Sequence, residues 1–263
     1  MSSGVIRTGV FMSEWNPESY LQFQKQRTQP AIDLANRIRE CNPKTVADIG
    51  CGPGNSTAIL KSVFPHAEIC GIDNSETMLS KARAAHSDIS FQFGSADNLT
   101  GCYDLLFSNA CLQWLPAHET LIPKLMSNLN ENGTLAVQIP MSQREPLFQI
   151  IRAVAAESEW DFSEVHFVQN DGLSPDKYHE ILSSCASNFD MWETAYYHIM
   201  PSHLSLIEWV RSTRLRPYLD VLNSEEQTEF ENRILQKVQK AYPVTKHGEV
   251  IFKFNRFFFT ARK

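Results

Sequence analysis

Short apolar runs alternate with helical stretches through the first half of the chain. TVADI (residues 45–49), EICGID (68–73), ISFQF (89–93), YDLLFSN (103–109) and TLAVQIP (134–140) read as strands. Each is short, rich in β-branched or aromatic residues and bounded by turn formers. Apolar residues at helical spacing place helices between them around Ala58–Val63, Ser75–Ala85 and Leu121–Leu129. A further helix is expected over Thr28–Arg39, with Pro30 near its start and Asn42-Pro43 ending it. Strands alternating with helices need crossover connections, and these are right-handed and build a parallel sheet. A run as continuously apolar as TLAVQI suits a sheet covered on both faces.

After Pro140 the rhythm changes. Helical patterns over Pro146–Glu157 and Asp176–Ser184 precede the strand-like MWETAYYHIM (191–200), helices over His203–Val210 and Glu225–Tyr242 follow, and the chain closes on VIFKFNRFFFTARK (250–263). The closing run is expected to be an antiparallel strand paired with MWETAYYHIM, so that residues 202–248 form an insertion capping the cleft. The fold expected is α/β, a Rossmann-like doubly wound sheet, mostly parallel with an antiparallel last strand, plus a helical cap. Its divisions are a disordered leader over 1–14, N-terminal helices and a cofactor-binding core over 15–145, a cap and substrate region over 146–249 that includes a strand at 190–200, and the last sheet strand over 250–263.

Composition narrows the function. With 43% apolar residues, 263 residues can bury one large core. A net charge of -6 without any Lys or Arg run argues against a nucleic-acid partner, and means that an anionic substrate needs local positive charge. Six cysteines without a C-x-x-C pair or histidines at ligand spacing read as free thiols in a reducing, cytoplasmic compartment, with no metal site expected. No 18-residue apolar run and no signal-peptide core occur, so no membrane partner is expected.

The chemistry starts at TVADIGCGPGNST. A strand ends in Asp48, and Gly50, Gly52 and Gly54 follow directly before a helix, where the backbone must turn tightly and admit a ligand. Asp73 closes the next strand, where a carboxylate can accept both hydroxyls of an adenosine ribose. A dinucleotide site would want G-x-G-x-x-G, but the position of its third glycine is Asn55. The compact turn suits a ligand with an amino-acid tail and no phosphates. Asp97, in GSADNL after the third strand, is placed to bind an adenine amino group.

Over residues 44–140 this arrangement resembles the class I methyltransferases that use S-adenosyl-L-methionine and release S-adenosyl-L-homocysteine. The resemblance implies that Asp48, Gly50, Gly52 and Gly54 line the methionine end, Asp73 holds the ribose and Asp97 with Asn98 the adenine edge, with Asn55, Asn74, Met78 and Asn109 completing the cofactor set. SNACLQWLP follows the fourth strand where nucleobase and amide methyltransferases carry paired prolines, so a small oxygen acceptor gains. From Trp15 to Lys263, the segments WNPESYLQF, VADIGCGPGNST, SNACLQWLP, YYHIMPSHLSLIEWV, the tripeptide LRP and the closing strand resemble, in order, the trans-aconitate 2-methyltransferase family. That likeness implies esterification of one carboxylate of a small polycarboxylic acid.

A carboxylate is already an ionised nucleophile at neutral pH, so no catalytic general base is expected. The other substrate carboxylates call for Arg, Tyr and His donors. The candidates are Trp15 and Tyr20 closing over the methyl donor, Gln113 and Trp114 on the facing wall, and Tyr196, His198, Trp209, Arg214 and Arg216 from the cap. His203 reads as a helix cap and Arg211 as part of a solvated face. Where family members read P-D-N-x-x-E-P-S/T-H, this chain reads PMSQREPLF, and Arg214 stands where a glycine is common. Two alternatives stay open: methylation of a carrier-linked or fatty acid, and a non-catalytic adenosine-ligand-binding regulator.

Overall fold

A computed structural model describes residues 24–143, 145–163, 165 and 172–263. Its strands are β1 (Thr45–Ile49), β2 (Glu68–Asp73), β3 (Ser90–Phe93), β4 (Tyr103–Asn109), β5 (Leu129–Pro140), β6 (Asn188–Met200) and β7 (Val250–Arg262). They form one sheet in the order β3-β2-β1-β4-β5-β7-β6. Strands β1 to β5 pair in parallel, and β7 lies antiparallel between β5 and β6. The order reverses between β1 and β4, which opens a crevice at their C-terminal ends. The doubly wound α/β architecture expected from the strand and helix rhythm is the one observed.

The helices are α1 (Gln24–Arg37), α2 (Asn55–Val63), α3 (Glu76–Ala85), α4 (His118–Ser127), α5 (Pro146–Ala155), α6 (Pro175–Cys185), α7 (His203–Val210), α8 (Arg216–Leu219) and α9 (Ser224–Ala241). Among the boundaries that differ from the sequence reading are those of two helices. Helix α1 is described over Gln24–Arg37 and carries Pro30 inside it, because the polar residues ahead of the proline are helical without showing apolar periodicity. Helix α4 begins at His118 and stops at Ser127, since Leu129 already pairs with Tyr103 as the start of β5. A register shift between Tyr103 and Leu105 and the turn-forming NENG sequence hide that early pairing.

Apolar cores on both faces of the sheet and beyond its edge hold the chain together. One face of the sheet packs Leu106, Leu135, Val137, Ile139, Phe257 and Phe259 against α4 and α6, and the opposite face packs Phe107, Ala136 and Phe258 against α1 and α2. The ends of β6 and β7 extend beyond these layers, where Met200, Phe252 and Phe254 pack with α5, α7, α8 and α9 as a separate core. Helix α6, drawn from the middle of the expected cap region, therefore belongs to the sheet's own core, and α5 with α7 to α9 forms the additional layer.

Inside the α4–α6 contact, the fully buried Tyr178 hydroxyl donates to His118 Nδ1 at 2.7 Å and accepts from the Leu173 N–H at 3.2 Å. Burial lowers the His118 pKa, so its ring is neutral and its Nε2 is free to donate to the Leu112 carbonyl at 2.8 Å. Tyr178→Phe leaves His118 Nδ1 and the Leu173 N–H without this partner and is expected to cost about 1–3 kcal/mol. Urea unfolding should show a lower midpoint at unchanged slope.

Candidate active site

The turn after β1 is built around a buried charge. Asp48 is fully buried, and its Oδ2 accepts from Ser56 Oγ and Thr57 Oγ1, both at 2.7 Å, in the first turn of α2. Its Oδ1 is buried without a partner. Burial raises the Asp48 pKa to about 6, against the pull of the two hydroxyls and with a smaller push from Asp73.

Glycine is required at the first turn position for two reasons. Gly50 has φ +72°, and a Cβ there would lie 2.3 Å from Cys111 Sγ on the loop after β4. The turn is tied to β2 by the Gly50 and Cys51 N–H groups, both donating to the Ile72 carbonyl. The Gly52 N–H donates to Asp73 Oδ2 at 2.8 Å, while Asp73 Oδ1 accepts from the Ser75 N–H at 2.9 Å. Among the described residues a Cβ on Gly52 would meet nothing within 4 Å, so they leave open space above the turn. Gly54, with φ +90°, precedes the N-terminus of α2 and backs onto His86 and Phe91.

The other expected cofactor residues gather along the same strand edge. Asn55 opens α2, Asn74 is exposed beside Asp73, and Met78 is buried on α3, where it donates its N–H to the Ser75 cap. Asp97 and Asn98 lie exposed in a short turn after β3. Asn109 ends β4 with its Oδ1 buried and without a partner. Ala110 follows at φ +54°, a strained conformation for alanine, and its carbonyl accepts from Gln113 Nε2 at 2.6 Å. Gln113 Oε1 is likewise buried and unpartnered. Burial pushes the Cys111 thiol up to about 12 and Cys51 higher still, so neither is a thiolate nucleophile.

The substrate candidates divide. Arg214 is buried on a turn of π-helix between α7 and α8, with its guanidinium 5.3 Å from the Trp114 ring, 5.6 Å from the Phe148 ring, and Nη2 donating to Ser142 Oγ at 2.8 Å. Of the positions read as departing from the family pattern, Ser142 and Phe148 thus each contact Arg214, beside Trp114, while Met141 packs against the sheet core. Arg216 reaches Asp220 through Nε at 3.5 Å and keeps Nη1 buried without a partner.

The remaining cap candidates face α1. The Tyr196 hydroxyl donates to Asp33 Oδ2 on α1 at 2.6 Å, so its proton is committed there. Trp209 is packed in the additional core against Phe252 and Phe254, with Arg27 over its ring at 5.1 Å. His198 lies against Trp209 with Nε2 buried and unpartnered, and burial with the nearby Arg256 lowers its pKa to about 4, leaving it neutral. His203 does not cap its own helix, where Ser202 is the N-cap; it bonds the Tyr242 carbonyl at the end of α9. Arg211 forms a paired contact with Glu231 at 2.8 and 2.6 Å at the surface. Trp15 and Tyr20 lie outside the described residues.

The sequence reading did not single out Ser56 and Thr57, Gln138, or Arg256. The first two stand in the quoted GNST run; the others are a fully buried amide in TLAVQIP and a buried charge in FKFNRFFF. A polar residue inside an apolar strand was the available signal.

A methyltransferase domain model matches residues 42–200. The trans-aconitate 2-methyltransferase of an Escherichia coli O7:K1 strain is 42% identical over 96% of this chain and 99% of its own length, and the Shigella flexneri enzyme of that name matches equally. The chain belongs to the trans-aconitate 2-methyltransferase family. It is a methyltransferase by that membership. The fold is shared with the YcgJ protein of Bacillus subtilis, at a TM-score of 0.58 and 14% identity over 89% of this chain and 98% of that one. All six cysteines of this family member are free. Among the described residues no helix is long and apolar enough to cross a membrane, and no cluster of His, Cys, Asp or Glu is grouped to hold a metal ion.

The Asp48 pKa has a measurable consequence in the ligand-free protein. Because the folded value lies near 6 and the ordinary value is 3.8, the native state holds a proton that the unfolded chain releases between those pH values. Stability therefore falls as pH rises from about 4 to about 6, by about 3 kcal/mol in total from this group. Asp48→Asn is expected to lose this component of the pH dependence, read as a wild-type urea midpoint that drops relative to the variant between pH 4 and pH 7.5.

Proposed function

We propose that the protein transfers a methyl group from S-adenosyl-L-methionine to one carboxylate of trans-aconitate, forming a monomethyl ester and S-adenosyl-L-homocysteine, in the cytoplasm. The carrying observation is the set of buried acceptor oxygens at the crevice, Asp48 Oδ1 and Asn109 Oδ1, beside open space at Gly52. Unpartnered buried acceptors are costly unless a donor arrives. The ammonium of an amino-acid tail is such a donor, and the Gly52 gap leaves room for a ligand against the turn.

In this reading Asp48, Gly50, Gly52, Gly54, Asn55 and Asn109 surround the amino-acid end. Asp73 and Asn74 take the ribose, since a carboxylate that already accepts two backbone N–H groups still has lone pairs for hydroxyls. Met78, Asp97 and Asn98 flank the base. When bound, the cofactor supplies a sulfonium methyl that is electrophilic without further activation.

The protein's own task is placement. The acceptor carboxylate is ionised at neutral pH, and fixing it in line with a methyl group can contribute on the order of 7–11 kcal/mol. Arg214 and Arg216 offset the charge of the other carboxylates, Arg214 being pre-set by its stacking on Trp114 and Phe148. Gln113 and Trp114 form the facing wall, and Trp15 and Tyr20 are proposed to close over the donor. Tyr196, His198 and Trp209 line the α1-facing side of the cap.

The deciding experiment is transfer from labelled S-adenosyl-L-methionine to trans-aconitate, cis-aconitate, citrate, malonate and a medium-chain fatty acid, scored as base-labile label. Turnover concentrated on trans-aconitate is expected; preference for the fatty acid, or cofactor binding with no ester formed, defeats the reading. Arg216→Ala is expected to raise the trans-aconitate KM by about tenfold or more while cofactor affinity measured by calorimetry stays unchanged. Equal losses in both would make Arg216 a structural residue.

A further inference from the structure

Three neighbouring strands present buried polar atoms on one face of the sheet, at the ends that open into the crevice. Asp48 on β1, Asn109 on β4 and Gln138 on β5 each follow by two positions a residue of the core facing α1 and α2, namely Val46, Phe107 and Ala136, so all three side chains lie on that face. Asn109 and Gln138 are register partners, and the Ala110 N–H donates to the Gln138 carbonyl at 3.0 Å, which ties the two strand ends together. Partners on adjacent strands stand about 5 Å apart, so one small head group can touch both side chains.

Among the described residues, Asp48 Oδ1, Asn109 Oδ1 and both Oε1 and Nε2 of Gln138 are buried without a hydrogen-bond partner. Gln138 is fully buried, where Met or Leu would fill the space without leaving an amide unsatisfied. Its two atoms need opposite partners, Nε2 an acceptor and Oε1 a donor. A polycarboxylate ionised at neutral pH brings acceptors alone and would leave Oε1 unmatched. An amino-acid head brings both, an ammonium and a carboxylate on one carbon.

The backbone of the glycine turn has no donor left for that carboxylate. Gly50 and Cys51 donate their N–H groups to the Ile72 carbonyl, Gly52 to Asp73 Oδ2 and Gly54 to the Cys51 carbonyl, and Pro53 has no N–H. A donor must therefore come from beside the turn. Gln138 stands one strand beyond Asn109, on the side away from Asp73 and β2, where the amino-acid end points if the ribose lies on Asp73.

We propose that Gln138 is a cofactor-binding residue whose amide bridges the amino-acid head of S-adenosyl-L-methionine, with Nε2 donating to the carboxylate and Oε1 accepting from the ammonium beside Asn109 Oδ1. This rests on the cofactor reading above and adds the donor that the turn lacks. Burial favours the pairing, because a charged head removed from water is held more strongly by fixed dipoles than an exposed one.

Gln138→Met is near-isosteric and removes two unsatisfied atoms, so the melting temperature of the ligand-free protein should be equal or higher. Its dissociation constant for S-adenosyl-L-homocysteine, measured by calorimetry, should rise about tenfold or more. The constant for methylthioadenosine, which keeps the adenosine and the thioether but has no amino-acid head, should stay within about twofold of wild type. Gln138→Glu, which keeps an acceptor but puts a negative charge where the donor was, should weaken S-adenosyl-L-homocysteine at least as much. Equal losses for the two ligands would make Gln138 structural and overturn the proposal. Unchanged S-adenosyl-L-homocysteine affinity in both variants, with or without a raised trans-aconitate KM, also overturns it and leaves the proposed function standing. Wild-type protein that binds no S-adenosyl-L-homocysteine overturns both.

Discussion

The buried carboxylate of Asp48 is the constraint on which the crevice depends. A charge at the end of a central strand, removed from water, must be answered, and the answer comes from Ser56 and Thr57 at the start of α2. That fixes where the helix begins and leaves only five residues to make the turn. The turn closes because Gly50 lets Cys111 approach and because β2 supplies the Ile72 carbonyl and the Asp73 carboxylate to its N–H groups. Strands β1, β2 and β4 are thereby locked around one turn, with a raised pKa and an unpartnered oxygen as the residual cost.

That cost is shared by other residues of the same edge. Asn109, Gln113 and Gln138 each hold buried atoms without partners. They lie near the C-terminal ends of the strands, beside the topological switch point, where the proposed ligand would supply the missing partners. The layers beneath, from Leu106 to Phe259, are apolar and interlocked, so the edge can carry these defects without loosening the sheet.

The cap answers a different electrostatic problem. A protein of net charge -6 that is proposed to bind a polyanion must concentrate positive charge locally. Arg214 is buried with its guanidinium against the Trp114 and Phe148 rings. Such placement limits conformational loss on binding. It also accounts for the contact between Phe148 and Arg214, positions far apart in sequence at which this chain departs from its family.

By itself, the sequence determined the alternation of strand and helix, the glycine turn with Asp48 and Asp73, and the family, because these depend on short-range periodicity, on backbone freedom at particular glycines and on motifs in order. It did not reveal the early start of β5, since a register shift and an NENG turn conceal pairing that only the neighbouring strand can specify. Nor did it reveal that α6 belongs to the sheet core, that Tyr196 is bonded to α1, or that Ser142 and Phe148 each meet Arg214. Gln138 and Arg256 were not singled out in the sequence; pairing across β5 and β7 decided that they share a face. Contacts of this kind join residues distant along the chain, and no local pattern records them until the sheet order is known.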